Sequence, residues 1–149
     1  MATTVAKTKF TSKIVETLTL KAQPQQVITT LEINDVTDYS HRIMSVAITS
    51  TNILTLAAAD AGGAIDKTRM QYVRITNLDD TNNIQLTFQL TTDQDTYEVV
   101  IGPKKSHILT HKQGDTTTGG AASSLEDLTS IKGVASTAAC DVEIFTVST

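Results

Sequence analysis

Tryptophan is absent from this chain of 149 residues, phenylalanine and tyrosine contribute three residues each, and cysteine occurs once. Each shortage excludes something. With aromatics at 4%, the core has to be built from Ile, Val, Leu and Ala. An aromatic platform of the kind that stacks sugars or single-stranded bases has few rings to draw on. A lone Cys140 rules out an intrachain disulfide and fits a reducing compartment. Its alternating surroundings mark it as a small buried hydrophobe rather than a nucleophile. The opening MATTVAKTKF lacks the apolar stretch of a secretory signal, and no apolar run approaches the ~20 residues that cross a bilayer. The net charge of −4 and the pI of about 5.2 argue against a surface that wraps nucleic acid. Basic charge is concentrated in one place: Lys7, Lys9 and Lys13 fall in the first thirteen residues, with no acid before Glu16.

What the sequence does have is Thr in abundance and 40% hydrophobic residues, enough for one domain with one core. Branching at Cβ suits Thr, Val and Ile to extended backbone. Period-two alternation runs through Lys13–Lys21, Gln26–Ile33, Arg42–Thr49, Asn52–Ala58, Met70–Asn77 and Ile84–Leu90. It continues through Tyr97–Ile101, Lys105–His111 and Cys140–Val147. Pro24 marks a turn, as do the polar runs Asn34–Ser40 and Leu78–Asn83 and the pair Gly102-Pro103. Ser50 and Thr51 either close a tight hairpin or lie within one long bent strand. Two small-residue stretches, Ala57–Lys67 and Gln113–Ser124, read as long loops. Ser124 ahead of Leu125-Glu126-Asp127-Leu128 has the form of a helix N-cap.

These signals predict an all-β protein, an antiparallel two-sheet β-sandwich of jelly-roll type with one short helix near residues 124–132. A closed barrel is the competing architecture. Residues 1–12 read as a flexible basic arm and residues 13–149 as the single β-sandwich domain. Lys7, Lys9, Phe10 and Lys13 from the arm region, with Thr116, Thr117, Thr118, Gly119 and Gly120 from the second long loop, are the candidate partner-contact residues.

No catalytic constellation emerges. His107 and His111 are four apart, but along a strand that is roughly 13 Å, too far for one metal ion. Asp79-Asp80 and Asp93-x-Asp95 lack the glycine and the distal glutamate of a calcium loop, and Asp between strands is an ordinary turn former. Gly62-Gly63 and Gly119-Gly120 lack the Gly-Lys-[Ser/Thr] ending and strand–helix context of a phosphate loop. No G-x-S-x-G elbow surrounds a serine. The chain therefore reads as non-enzymatic, with no cofactor or metal.

Three segments carry a resemblance. Tyr72-Val73-Arg74-Ile75-Thr76-Asn77-Leu78-Asp79-Asp80-Thr81 leads into Ile84–Leu90. Val99-Val100-Ile101-Gly102-Pro103-Lys104-Lys105-Ser106 follows, and Leu125–Ile131 precedes Cys140–Phe145. Over roughly the second half of the chain these resemble the small β-sandwich virion proteins of tailed phages. The resemblance implies a structural protein of the virion, assembled in the host cytoplasm, with the major capsid protein or other virion proteins as partners. A decoration or cement role on the capsid surface is the leading expectation, with a homo-oligomer, a trimer, on the particle. A tail, neck or fibre component is the alternative within the virion, and a carbohydrate-binding adhesion module the alternative of another class. Neither specific nucleic acid nor membrane is expected as a partner.

Overall fold

The computed structural model describes residues 6–58, 62–91, 96–114 and 125–149, and among them the chain is all β. Its strands are β1 (Thr8–Leu20), β2 (Gln23–Val36), β3 (Asp38–Val46), β4 (Thr51–Ala57), β5 (Ile65–Asp66) and β6 (Met70–Asn77). They continue as β7 (Ile84–Leu90), β8 (Thr96–Ile101), β9 (Ser106–Leu109), β10 (Gln113–Gly114), β11 (Glu126–Ala135) and β12 (Cys140–Ser148). One sheet has the order β3-β12-β6-β9; a second has the order β5-β4-β11-β7-β8, with β10 joined to β11; β1 and β2 form a separate ribbon.

Alternation builds the core. Ile84, Leu86, Phe88 and Leu90 of β7 are all buried, while Gln85, Thr87 and Gln89 face the other way. From the facing sheet, Val46, Val73, Ile75, Val142 and Ile144 join them in one buried cluster, with Ile53, Leu56 and Ile131. The two sheets thus share a single aliphatic core, as expected of a two-sheet sandwich. Aromatics enter it only at Phe88, on which the half-buried Tyr97 ring stacks at 4.6 Å.

The pairing is nested. β7 pairs with β8, β6 with β9, β4 with β11 and β3 with β12, every pair antiparallel. Each outer pair encloses the inner ones in sequence, as if one long hairpin had been rolled across both sheets.

Four sequence expectations are corrected. The helix near 124–132 is instead strand β11 from Glu126 onward; Ser124 itself lies outside the described residues. Register shifts at Leu128/Ser130 and Ile131/Lys132 put Leu128 and Ile131 on the same buried side three residues apart, a spacing that mimics a helix. The loop expected over Asn34–Ser40 shrinks to Thr37, because β2 runs through Asn34 and Asp35 by a bulge in which Asp35 takes φ 58°. Ser50 and Thr51 neither close a hairpin nor continue one strand: β3 and β4 belong to different sheets, and the segment between them carries the chain across. The boundary drawn at residue 13 falls inside β1, since Thr8–Ser12 already pair with β2.

Candidate functional site

The ribbon β1–β2 is the feature that the core does not explain. Its twelve register pairs run from Thr8 opposite Val36 to Leu20 opposite Gln23. On one face lie Phe10, Ile14, Leu18 and Leu20 with Ile33, Leu31 and Val27, among Ser12, Glu16, Gln23, Gln25 and Thr29; the other face carries mainly Thr, with Lys13, Gln26 and the exposed pair Val15–Ile28. At its base this apolar face is covered. Phe10, Leu31 and Ile33 pack with Tyr72, Phe145 and Val147 on the outer side of the four-stranded sheet, forming a second hydrophobic cluster around Val36. Phe10 stacks on Phe145 at 5.6 Å and meets Tyr72 at 5.0 Å.

The ribbon leaves the sheet at its β9 side. There Ser12, Ile14, Thr29 and Leu31 bound an apolar groove of about 200 Å³ with Tyr72, Ile108 and Thr110. Beyond it, every residue from Lys13 to Thr30 is exposed. Eight residues of strand span about 26 Å, so the overhang is long and keeps its apolar face: Leu18 is 61% exposed and Leu20 and Val27 nearly as much.

Opposite the overhang, the edge strand β3 leaves the other end of the same outer face open. Cross-strand register puts Tyr39, His41 and Ile43 beside Val147, Phe145 and Glu143. Tyr39 is 69% and Ile43 60% exposed. Glu143 meets two side chains, lying 2.8 Å from His41 Nε2 and pairing with the Arg74 guanidinium at 3.0 Å.

The two motifs behind the resemblance meet at one end of the sandwich. Asn77 is fully buried, and its Nδ2 donates to the carbonyls of Asn82 (2.8 Å), Gly102 (3.2 Å) and Ile101 (3.4 Å). Asp79 Oδ1 accepts from the backbone N–H groups of Asn82 (2.6 Å) and Thr81 (2.7 Å), and these hold its carboxyl down at about 2. The turn Gly102–Lys105 closes through the Lys105 N–H to the Gly102 carbonyl at 3.2 Å, with Lys104 at φ 57° where glycine or asparagine is usual. Lys104 is anchored by Asp80 at 2.7 Å and by the Leu78 carbonyl. The arrangement is a structural clasp between two turns.

Of the candidate contact residues, Phe10 is half-buried at the ribbon base. Lys7 pairs with Asp35 at 3.6 Å, Lys9 with Glu32 at 2.7 Å, and Lys13 stands at the start of the overhang. Thr116, Thr117, Thr118, Gly119 and Gly120 lie outside the described residues. The structure therefore places Lys9, Phe10 and Lys13 on one ribbon, with Lys7 just before it. Sequence reasoning missed that Ile14, Leu18, Leu20 and Val27 are exposed, because alternation alone marks them as core-facing. It also missed the exposure of Tyr39, placed in the expected loop Asn34–Ser40, and of Ile43, placed in the expected strand Arg42–Thr49.

Cys140 is buried, and burial, with Asp79 and Asp141 nearby, pushes its thiol up; Sγ donates to the Ala138 carbonyl at 3.4 Å. His107 faces inward with its ring edge on Phe88 at 5.4 Å. No group of three or more His, Cys, Asp or Glu is placed to hold a metal ion among the described residues. Comparison with family models, with curated proteins and with solved structures finds no match for this chain.

Proposed function

We propose that this protein is a non-enzymatic structural protein of a virion, and that the β1–β2 ribbon is its docking arm. The observation that carries the docking role is the overhang itself. A two-stranded ribbon is marginal in water without something to pack on, and soluble proteins rarely leave a continuous apolar face uncovered unless it binds. The geometry suits a protein whose work is contact: a rigid aliphatic sandwich that holds an apolar arm clear of its own core. The nested order of eight strands reads as a jelly roll, an architecture that recurs in viral capsid and lectin domains. Fold alone assigns no function, so the virion setting rests on the sequence resemblance in the turns around Asn77 and Gly102. A decoration or cement role on the outer capsid surface is our leading assignment. A neck or tail position is the alternative, and copy number per particle separates the two: hundreds of copies for decoration, a ring-sized handful for the neck.

The test removes the overhang and spares the fold. Replacing residues 13–30 by Asn-Gly joins Ser12 to Leu31, already a register pair, through a favourable two-residue turn. We expect the shortened chain to unfold at nearly the wild-type midpoint, because no residue of the overhang enters the main core, and to bind capsids at least tenfold more weakly. Wild-type binding by the shortened chain refutes the docking role.

A further inference from the structure

We propose that the overhanging half of the ribbon docks on the uncovered β3 side of the outer sheet face of a second copy of this chain, head to tail. The proposal deepens the docking role assigned above and rests on it.

The argument is continuity. Within one chain, the ribbon's apolar face and the sheet's outer face form a single interface, with Phe10, Leu31 and Ile33 against Tyr72, Phe145 and Val147. Each partner in that interface is longer than the part the other covers. The ribbon continues past the β9 side with Ile14, Leu18, Leu20 and Val27 exposed, and the sheet continues past β12 to β3 with Tyr39 and Ile43 exposed. The two remainders have the same chemistry as the two covered parts: aliphatic side chains at ribbon spacing on one, an aromatic and a branched aliphatic on a flat strand on the other. Tyr39 and His41 already approach Phe145 at 6.4 and 6.1 Å, so the uncovered side extends the aromatic cluster on which the ribbon base sits. Placing one chain's overhang on the next chain's β3 side extends a contact type the fold has already formed.

Charge does not select the partner: Glu16 lies on the docking face of the overhang, Lys13 on the opposite face and Lys21 in the turn, so the apolar side chains carry the contact.

Area sets the strength. A ribbon about 26 Å long and about 10 Å wide presents on the order of 260 Å² of projected face, short of the ~800 Å² each partner contributes to a standard interface. One such contact makes a weak pair. The contact is heterologous, however, so each chain uses both its arm and its β3 side, and a closed ring gains a contact per chain. Self-association therefore rises steeply with concentration.

The arm and the receiving face can be disabled separately on the full chain. Leu18→Glu places a charge on the arm, and Ile43→Glu places one on the face. Both positions are exposed, and unchanged circular dichroism verifies folding of each variant. At a concentration where the wild-type chain self-associates in sedimentation velocity, each variant alone is expected to sediment as a monomer. Their equimolar mixture is expected to form a heterodimer, because the intact arm of the Ile43→Glu chain meets the intact face of the Leu18→Glu chain. A second measurement is oxidative cross-linking of a Leu18→Cys chain to an Ile43→Cys chain, with the buried Cys140 silent; a cross-linked heterodimer is expected. A wild-type chain that stays monomeric at millimolar concentration, an Ile43→Glu chain that self-associates normally, a mixture that stays monomeric, or no cross-link overturns the proposal. Capsid binding by a monomeric wild-type chain leaves the docking role standing while this inference falls. Self-association without capsid binding does the reverse.

Discussion

Asn77 shows how much one side chain holds at the end of the sandwich. Its amide supplies donors to three carbonyls from two turns, and its Oδ1 accepts from the Asp79 N–H at 3.0 Å. Asn77→Ala strands these buried groups at ~1–3 kcal/mol each where water does not replace the lost partner. The expected loss is about 2–4 kcal/mol, read by urea unfolding. Asn77→Asp gives no rescue, because a carboxylate oxygen then faces carbonyl oxygens. His107 gives a pH signature. Burial lowers its folded pKa below the ordinary 6.5, so the unfolded chain binds the proton more readily. Stability therefore falls as pH drops through about 6.5 toward the lower folded value, and it is unaffected above. In urea titrations at pH 7.5 and 5.5, His107→Gln is expected to show a smaller loss between the two than the wild type. An equal loss in both would remove His107 as the cause. Neither role is legible in the sequence: Asn77 reads as the last residue of a strand before a polar turn, and His107 as one of a histidine pair.

At the scale of the element, the ribbon turn is built against propensity. Lys21 and Ala22 form the two-residue loop with φ of 48° and 63°, the signature of a turn that ordinarily takes Asn-Gly. A left-handed conformation costs an L-residue roughly 1–2 kcal/mol. Lys21→Asn with Ala22→Gly is expected to strengthen the ribbon by about 1–2 kcal/mol. Slower hydrogen exchange at β1 and β2 amides is the readout, while the global unfolding midpoint stays put because the core is untouched. Unchanged exchange would mean that the turn does not limit the ribbon. The same turn explains why Pro24 misled. It sits two residues past the loop, paired with Thr19 inside β2, and the true loop has no turn residue to announce it. The β11 error has the opposite origin: a bulged strand acquired helical spacing, and Ser124 supplied a plausible cap. The strands with unbroken alternation, β7 and β12, fall where their patterns put them.

The whole molecule is a set of nested long-range pairs. Of the nested pairs, the outermost joins Asp38 to Ser148 and the innermost, the β7–β8 hairpin, is local. Closing such loops before any contact forms is entropically slow, and all-β proteins of this kind fold in milliseconds to seconds. Stopped-flow refolding is expected in that range; microsecond folding would contradict the nested pairing. The ribbon is expected to form separately, since its pairs are local and it adds nothing to the main core.

Composition and alternation by themselves determined that this chain is predominantly β, that its core is aliphatic, and which residues of each regular strand turn inward. Those properties are local: a branched side chain prefers extended backbone, and a period of two separates the faces wherever the strand lies. Tertiary structure alone decided which strands pair, that Ser50 lies on a crossing between sheets that ends where β4 begins at Thr51, and that Ile14, Leu18 and Leu20 face solvent while Phe10 on the same face is covered. An inward-facing pattern says only that a side chain has an apolar side to satisfy. Whether its own domain reaches far enough to cover it depends on where the β9 edge ends, and no local pattern records that.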